Sequence, residues 1–133
     1  MAEWHFYAAG PNVDPKNPKY WKDGKTKLER DNILIPIQTA NSWMVTSGKK
    51  TWVGAWMAGN YNKGNNFTIE QQVGFASFMS RSLQFYNIPW SINTDDKFIN
   101  LNNYTWYPRT NDAAGIPVRD AIINSNKISL YES

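Results

Sequence analysis

Acid–base, nucleophilic and metal-assisted chemistry draw on imidazoles, thiolates or paired carboxylates, and this sequence is short of all three. Its single histidine, His5, sits between Trp4 and Phe6, and it has no cysteine. A cysteine nucleophile, thiolate metal ligands and disulfides are thereby excluded, and one imidazole cannot make a multi-histidine metal site. Carboxylates come together as Asp95 with Asp96 in "TDD", and as Asp112 with Asp120. Adjacent acids in a turn usually cap or solvate it, and nothing in the spacing sets two of them across a cleft as glycoside hydrolysis requires. There is no phosphate loop, dinucleotide fingerprint or nucleophile elbow. The sequence therefore predicts no cofactor, no metal and no catalytic residue.

The residues in surplus are suited to contact instead. Seven Trp, seven Tyr and six Phe make up 15% of 133 residues, set among many asparagines. Trp and Tyr combine a large apolar face with a polar tip, which suits interfaces and stacking on sugar rings. In "TWVGAW", read as a strand, Trp52, Gly54 and Trp56 share one face, and Gly54 leaves a slot between the two indoles. Asn60 and Tyr61 follow in "GNYNKGNN". Tyr104 and Trp106 lie beside Asn100, Asn102 and Asn103, and Tyr20 with Trp21 lies in a basic stretch. Amides that bond sugar hydroxyls next to rings that stack on pyranose faces would serve a glycan, although Asn is equally a turn residue. The N-x-T sequons at Asn66 and Asn103 read as chance occurrences, since Thr68 already suits a helix cap.

These residues need a scaffold. The strongest element is a helix over about 68–87: Thr68 with Gln71 forms a capping box, Glu70 lies in the first turn, and Ile69, Val73, Ala76, Met79, Leu83 and Tyr86 share a face. Phe78 and Phe85 fall on its flank. "NILIPIQ" reads as a short β-branched strand that Pro36 pushes to an edge, and "SWMVT" joined to "TWVGAW" through "SGKK" reads as a hairpin. "PWSIN", "KFINLNNYTWY" and "KISLYE" are strand-like, and "NDAAGIPVRDAIINSN" holds a short helix from about Pro117 or a loop. The expected fold is α+β: a sheet of about five or six short strands packed on one long helix, forming a single domain over 1–133. Three prolines and two glycines in residues 10–24 predict an extended, irregular arm.

Composition sets the partners. The net charge is +3, and Lys16, Lys19, Lys22, Lys25, Lys27 and Arg30 cluster in one stretch. Asp14, Asp23, Glu29 and Asp31 interrupt that cluster, so a solvated mixed-charge loop is expected rather than a nucleic-acid site. No run approaches the roughly 20 apolar residues of a membrane span. "MAEWHFYAAG" lacks the basic, apolar pattern of a secretory signal, which predicts a soluble protein made in the cytoplasm.

The ordered segments "KDG" (22–24), "TANSW" (39–43), "TWVGAWMAGN" (51–60), "FTIEQQ" (67–72) and "YNIPW" (86–90) resemble the middle of zinc-dependent peptidoglycan amidases and peptidoglycan-recognition proteins. The resemblance covers roughly residues 20–90. Trp43 stands near where that family carries a ligand histidine or its neighbour, and no histidine follows Pro89. It thus implies a metal-free peptidoglycan-binding relative without amidase activity. Taken together, the residues lead to a non-catalytic structural or assembly protein, such as a small component of a bacteriophage or other virus particle, bound to other protein subunits. A glycan- or cell-wall-binding module is the alternative, and a hydrolase of unrecognised type the second. Trp52, Trp56, Asn60, Tyr61, Tyr104, Trp106, Tyr20 and Trp21 are the contact candidates.

Overall fold

The computed structural model describes residues 1–93, 98–107 and 115–132. In order, these form β1 (Ala2–Trp4), α1 (Lys27–Ser47), β2 (Thr51–Val53), a single 3-10 turn (Tyr61–Lys63), α2 (Ile69–Phe85), β3 (Ile99–Asn100), β4 (Thr105–Trp106) and α3 (Gly115–Glu132). β1 pairs parallel to β2, and β3 antiparallel to β4. The expected sheet of five or six strands on one helix is therefore wrong: the described residues hold three long helices and two sheets of two short strands each.

The error arises at α1. "NILIPIQ" and "SWMVT" both lie inside this helix, and no hairpin joins them to β2. Thr26 opens α1 with a capping box, in which Glu29 N–H donates to Thr26 Oγ1 and the Glu29 carboxylate accepts from Thr26 N–H. Ile33 and Ile37, four residues apart on one face, are fully buried, and that burial outweighs both the strand preference of β-branched residues and the N–H that Pro36 lacks. "SGKK" is a helix end rather than a hairpin turn. Gly48 adopts φ +70° and donates its N–H to the Met44 carbonyl, and a left-handed glycine serves a helix C-cap as readily as a tight turn.

The expectation for α2 holds. Thr68 and Gln71 form the capping box, and Ile69, Ala76, Met79 and Leu83 are buried. α3 runs along α2. It includes the segment "KISLYE", read above as a strand, and it extends well past the short helix expected near Pro117. "PWSIN" contributes only one isolated bridge, from Trp90 to Val53, and the "TDD" turn lies outside the described residues. No described helix is long and apolar enough to cross a membrane.

The centre of the core is a connected group of rings. Phe75 of α2 meets Tyr7 at 5.0 Å, Trp21 at 5.5 Å and Trp56 at 6.1 Å between centroids. Phe6 and Trp4 extend the group from Tyr7, Phe78 from Trp21, and Trp90 from Trp56. The Lys19 ammonium lies 4.4 Å from the Phe6 centroid and 4.6 Å from that of Tyr7, and burial pushes its pKa down.

Tyr7 is held at φ +62°, rare for an aromatic residue, because its carbonyl accepts from both Gly10 and Met57. Its buried hydroxyl has no hydrogen-bond partner among the described residues, and burial raises its pKa. Tyr7→Phe keeps the ring and removes a desolvated hydroxyl, so it should stabilise the fold by about 1 kcal/mol. A urea titration checks this, and a lower midpoint would show that the hydroxyl is engaged.

Candidate functional site

Residues 10–24 have no regular element, but hydrogen bonds close them into a compact loop. Asn12 N–H donates to the Lys19 carbonyl, and Trp21 N–H donates back to Asn12. Trp21 is buried under α2, and the turn after it is tied to α1 by two side chains, Glu29 and Arg30, the Arg30 guanidinium donating to the Gly24 carbonyl at 2.8 Å. The N–H groups of Lys22, Asp23 and Gly24 converge on Glu29 Oε1 at 2.7, 2.9 and 3.0 Å, while the hydroxyl and N–H of Thr26 donate to Oε2 at 2.5 and 3.1 Å. Successive N–H groups of this kind form an anion-binding nest, here filled by the protein's own carboxylate. Gly24 permits the turn: its φ is +73°, and a Cβ there would come within 2.5 Å of the Trp21 ring. Burial pushes the Glu29 pKa up, but the bonds from Thr26, Gly24, Lys22 and Asp23 outweigh it and hold the carboxyl at about 2. Lys27 with Asp31 and Lys25 with Asp23 form exposed pairs around this turn, as the mixed-charge reading anticipates.

α1 packs on the core along one face and leaves a groove on each flank. The larger, of about 850 Å3, runs between α1 and the second half of α2. Trp21, Phe78, Phe85 and Tyr86 give it aromatic walls; Gln38, Arg81, Gln84 and Asn87 give it polar ones. Gln38 Nε2 donates to the Tyr86 hydroxyl at 3.1 Å, and Phe85, 78% exposed, stands edge-on to Tyr86 at 5.0 Å. The other groove, of about 570 Å3, lies between α1 and β1 and is lined mainly by Ala2, Trp4, Ile35, Pro36, Ala40 and Trp43. Ile35 and Trp43 are 57% and 40% exposed at its rim.

The contact residues expected from sequence do not assemble into one site. Trp56 and Tyr61 are core residues, and the Tyr61 hydroxyl donates to buried Gln72 at 2.5 Å. Asn60 is buried too, accepting from Asn66 N–H at 2.6 Å. The slot at Gly54 is occupied, since the Glu3 carboxylate sits where a Cβ would be. Trp52 is half-buried in β2 opposite Glu3. Trp21 floors the larger groove and Tyr20 is half-buried beside it, whereas Tyr104 and Trp106 belong to the separate β3–β4 hairpin, Tyr104 being 82% exposed.

Much of the asparagine is spent on turns. Asn12, Asn17, Asn65, Asn100 and Asn103 each accept from the backbone N–H two residues on. Asp120 pairs with Arg119 at 3.0 Å, while Asp95, Asp96 and Asp112 lie outside the described residues. Among the described residues no three His, Asp or Glu side chains gather where a metal would sit. Ile35 and Trp43 are not among the contact candidates the sequence offers, whereas Phe85 lies on the flank of α2 as expected. A helical period through residues 27–47 would have found the first two, since it sets Leu28, Ile35 and Trp43 away from Ile33 and Ile37. No protein-family profile, curated protein or solved structure matches this chain.

Proposed function

We propose that the protein is a non-catalytic structural or assembly protein that holds other protein subunits. A small component of a bacteriophage or other virus particle is a setting that fits a chain of this size and composition. The observation that supports this reading is the apolar groove beside β1, where Ile35 and Trp43 present large side chains to solvent next to a two-stranded sheet. Rings and aliphatic side chains beside a sheet are what protein partners cover, and a sugar would find few polar groups there.

The test joins solution mass with mutation. The pure protein should form a defined oligomer on light scattering across concentration. Ile35→Glu combined with Trp43→Glu should dissociate it at least tenfold more readily with unchanged helix content, because burying two carboxylates in an apolar contact is costly. A strict monomer that is retained by sugars on a broad glycan array would overturn the proposal.

The larger groove favours a second reading, a glycan- or cell-wall-binding module. Four aromatic side chains and several amide and guanidinium groups face a volume of about 850 Å3, the composition by which sugar rings are stacked and their hydroxyls bonded.

A further inference from the structure

Among the described residues β1 has a partner strand on one side only, and the direction of its hydrogen bonds decides what can be added to it. Ala2 N–H donates to the Lys50 carbonyl at 2.9 Å, and Gly54 N–H donates to the Trp4 carbonyl at 3.0 Å. In a parallel ladder alternate residues turn their backbone groups toward the same neighbour, so Ala2 and Trp4 bond β2 while those of Glu3 and His5 turn outward. An edge of this kind is a template for another strand. We propose that the added strand is β1 of a second copy of this chain, antiparallel, with Trp4 on the twofold axis. The inference rests on the assembly reading above and names the partner within it.

Register selects this arrangement. An isologous antiparallel pair must oppose outward-turned residues to one another, so the axis passes through Glu3, Trp4 or His5. Centred on Glu3, carboxylate meets carboxylate. Centred on His5, imidazole meets imidazole, and Glu3 faces Tyr7, whose carbonyl is already taken by Gly10 and Met57. Centred on Trp4, Glu3 of each copy faces His5 of the other, and acid complements base at both ends. The two groups are suited to one another: within a single copy His5 Nε2 and Glu3 Oε1 lie 2.9 Å apart, both exposed.

The same register makes Trp4 and its twofold mate the close, non-hydrogen-bonded pair of the new ladder. Trp4 lines the groove that Ile35 and Trp43 border. Pairing through β1 therefore joins this groove to the same groove of the second copy, making one apolar surface across the axis.

The chain offers a clean test by charge and by backbone. Wild-type protein should show a concentration-dependent dimer by sedimentation. His5→Glu opposes acid to acid at both ends and should weaken the dimer about tenfold, and adding Glu3→Lys to that variant should restore it. Glu3→Pro removes an N–H that faces away from β2, so it should abolish the dimer while leaving the circular dichroism spectrum unchanged. A strictly monomeric wild type would overturn the second copy as partner and leave the assembly reading to a different subunit. An oligomer that Glu3→Pro and His5→Glu leave intact, yet Ile35→Glu with Trp43→Glu dissociates, would overturn the strand pairing alone.

Discussion

Phe75→Ala is expected to destabilise the protein by about 3–5 kcal/mol, the range found when a large aromatic is deleted from a closed core. Phe75 is fully buried, and its ring meets Tyr7, Trp21 and Trp56 at once. Each partner comes from a different part of the chain: Tyr7 follows β1, Trp21 ends the loop before α1, and Trp56 lies beyond β2. A cavity at this position removes the surface against which all three are ordered, and rings of that size cannot slide to fill it without leaving their own contacts. Urea denaturation followed by tryptophan fluorescence and circular dichroism measures the loss. Phe75→Leu, which conserves more volume, should cost markedly less. A loss below about 1.5 kcal/mol for the alanine variant would mean that the ring cluster repacks, and Phe75 would no longer be its centre.

Loss of stability in acid should trace largely to Glu29. Its carboxyl, held at about 2 against an ordinary value of 4.5, is depressed in the folded state, so its contribution is fully present above about pH 4.5 and disappears as the pH falls toward 2. The shift corresponds to about 3 kcal/mol. Glu29→Gln keeps the shape but replaces one acceptor oxygen with a donor amide that faces the same N–H groups. It should lose about that much at neutral pH and flatten the acid limb of the stability curve. The measurement is the urea midpoint at successive pH values for both proteins. If the wild-type curve is already flat between about pH 5 and 2.5, or if the variant keeps the same slope, the nest does not hold the charge as argued.

Legibility in the sequence followed the range over which each signal acts. α2 was readable because its cap, first-turn acid and apolar face are all local. α1 was equally well marked by Thr26 and Glu29, but the short window Asn32–Gln38 holds three isoleucines and a proline, and over seven residues a buried helix and a buried strand look alike. β2 was recognised as a strand, yet its partner lay at Ala2–Trp4, too far off in sequence for any turn signal to connect them. The contact candidates fared similarly. Nothing local distinguishes Trp56, buried against Phe75 and Trp90, from Trp43, which reaches solvent. Only the packing of α1 and α2 decides which indole is covered. Asparagine was ambiguous for a different reason: one amide oxygen that bonds the backbone two residues on and one that would bond a hydroxyl leave the same letter in the sequence.

The parallel pairing of Ala2–Trp4 with Thr51–Val53 orders events during synthesis on the ribosome. The first strand emerges long before its mate, so Trp4, Phe6 and Tyr7 must wait, unpaired and apolar, until α1 has cleared the exit tunnel. At about 5–20 residues per second that interval lasts seconds. α2 faces a second delay, because α3, which covers it, is made after it. A nascent chain arrested between the two helices would thus display the very side chains that the finished protein hides, and would be a natural client for a chaperone that binds aromatic segments.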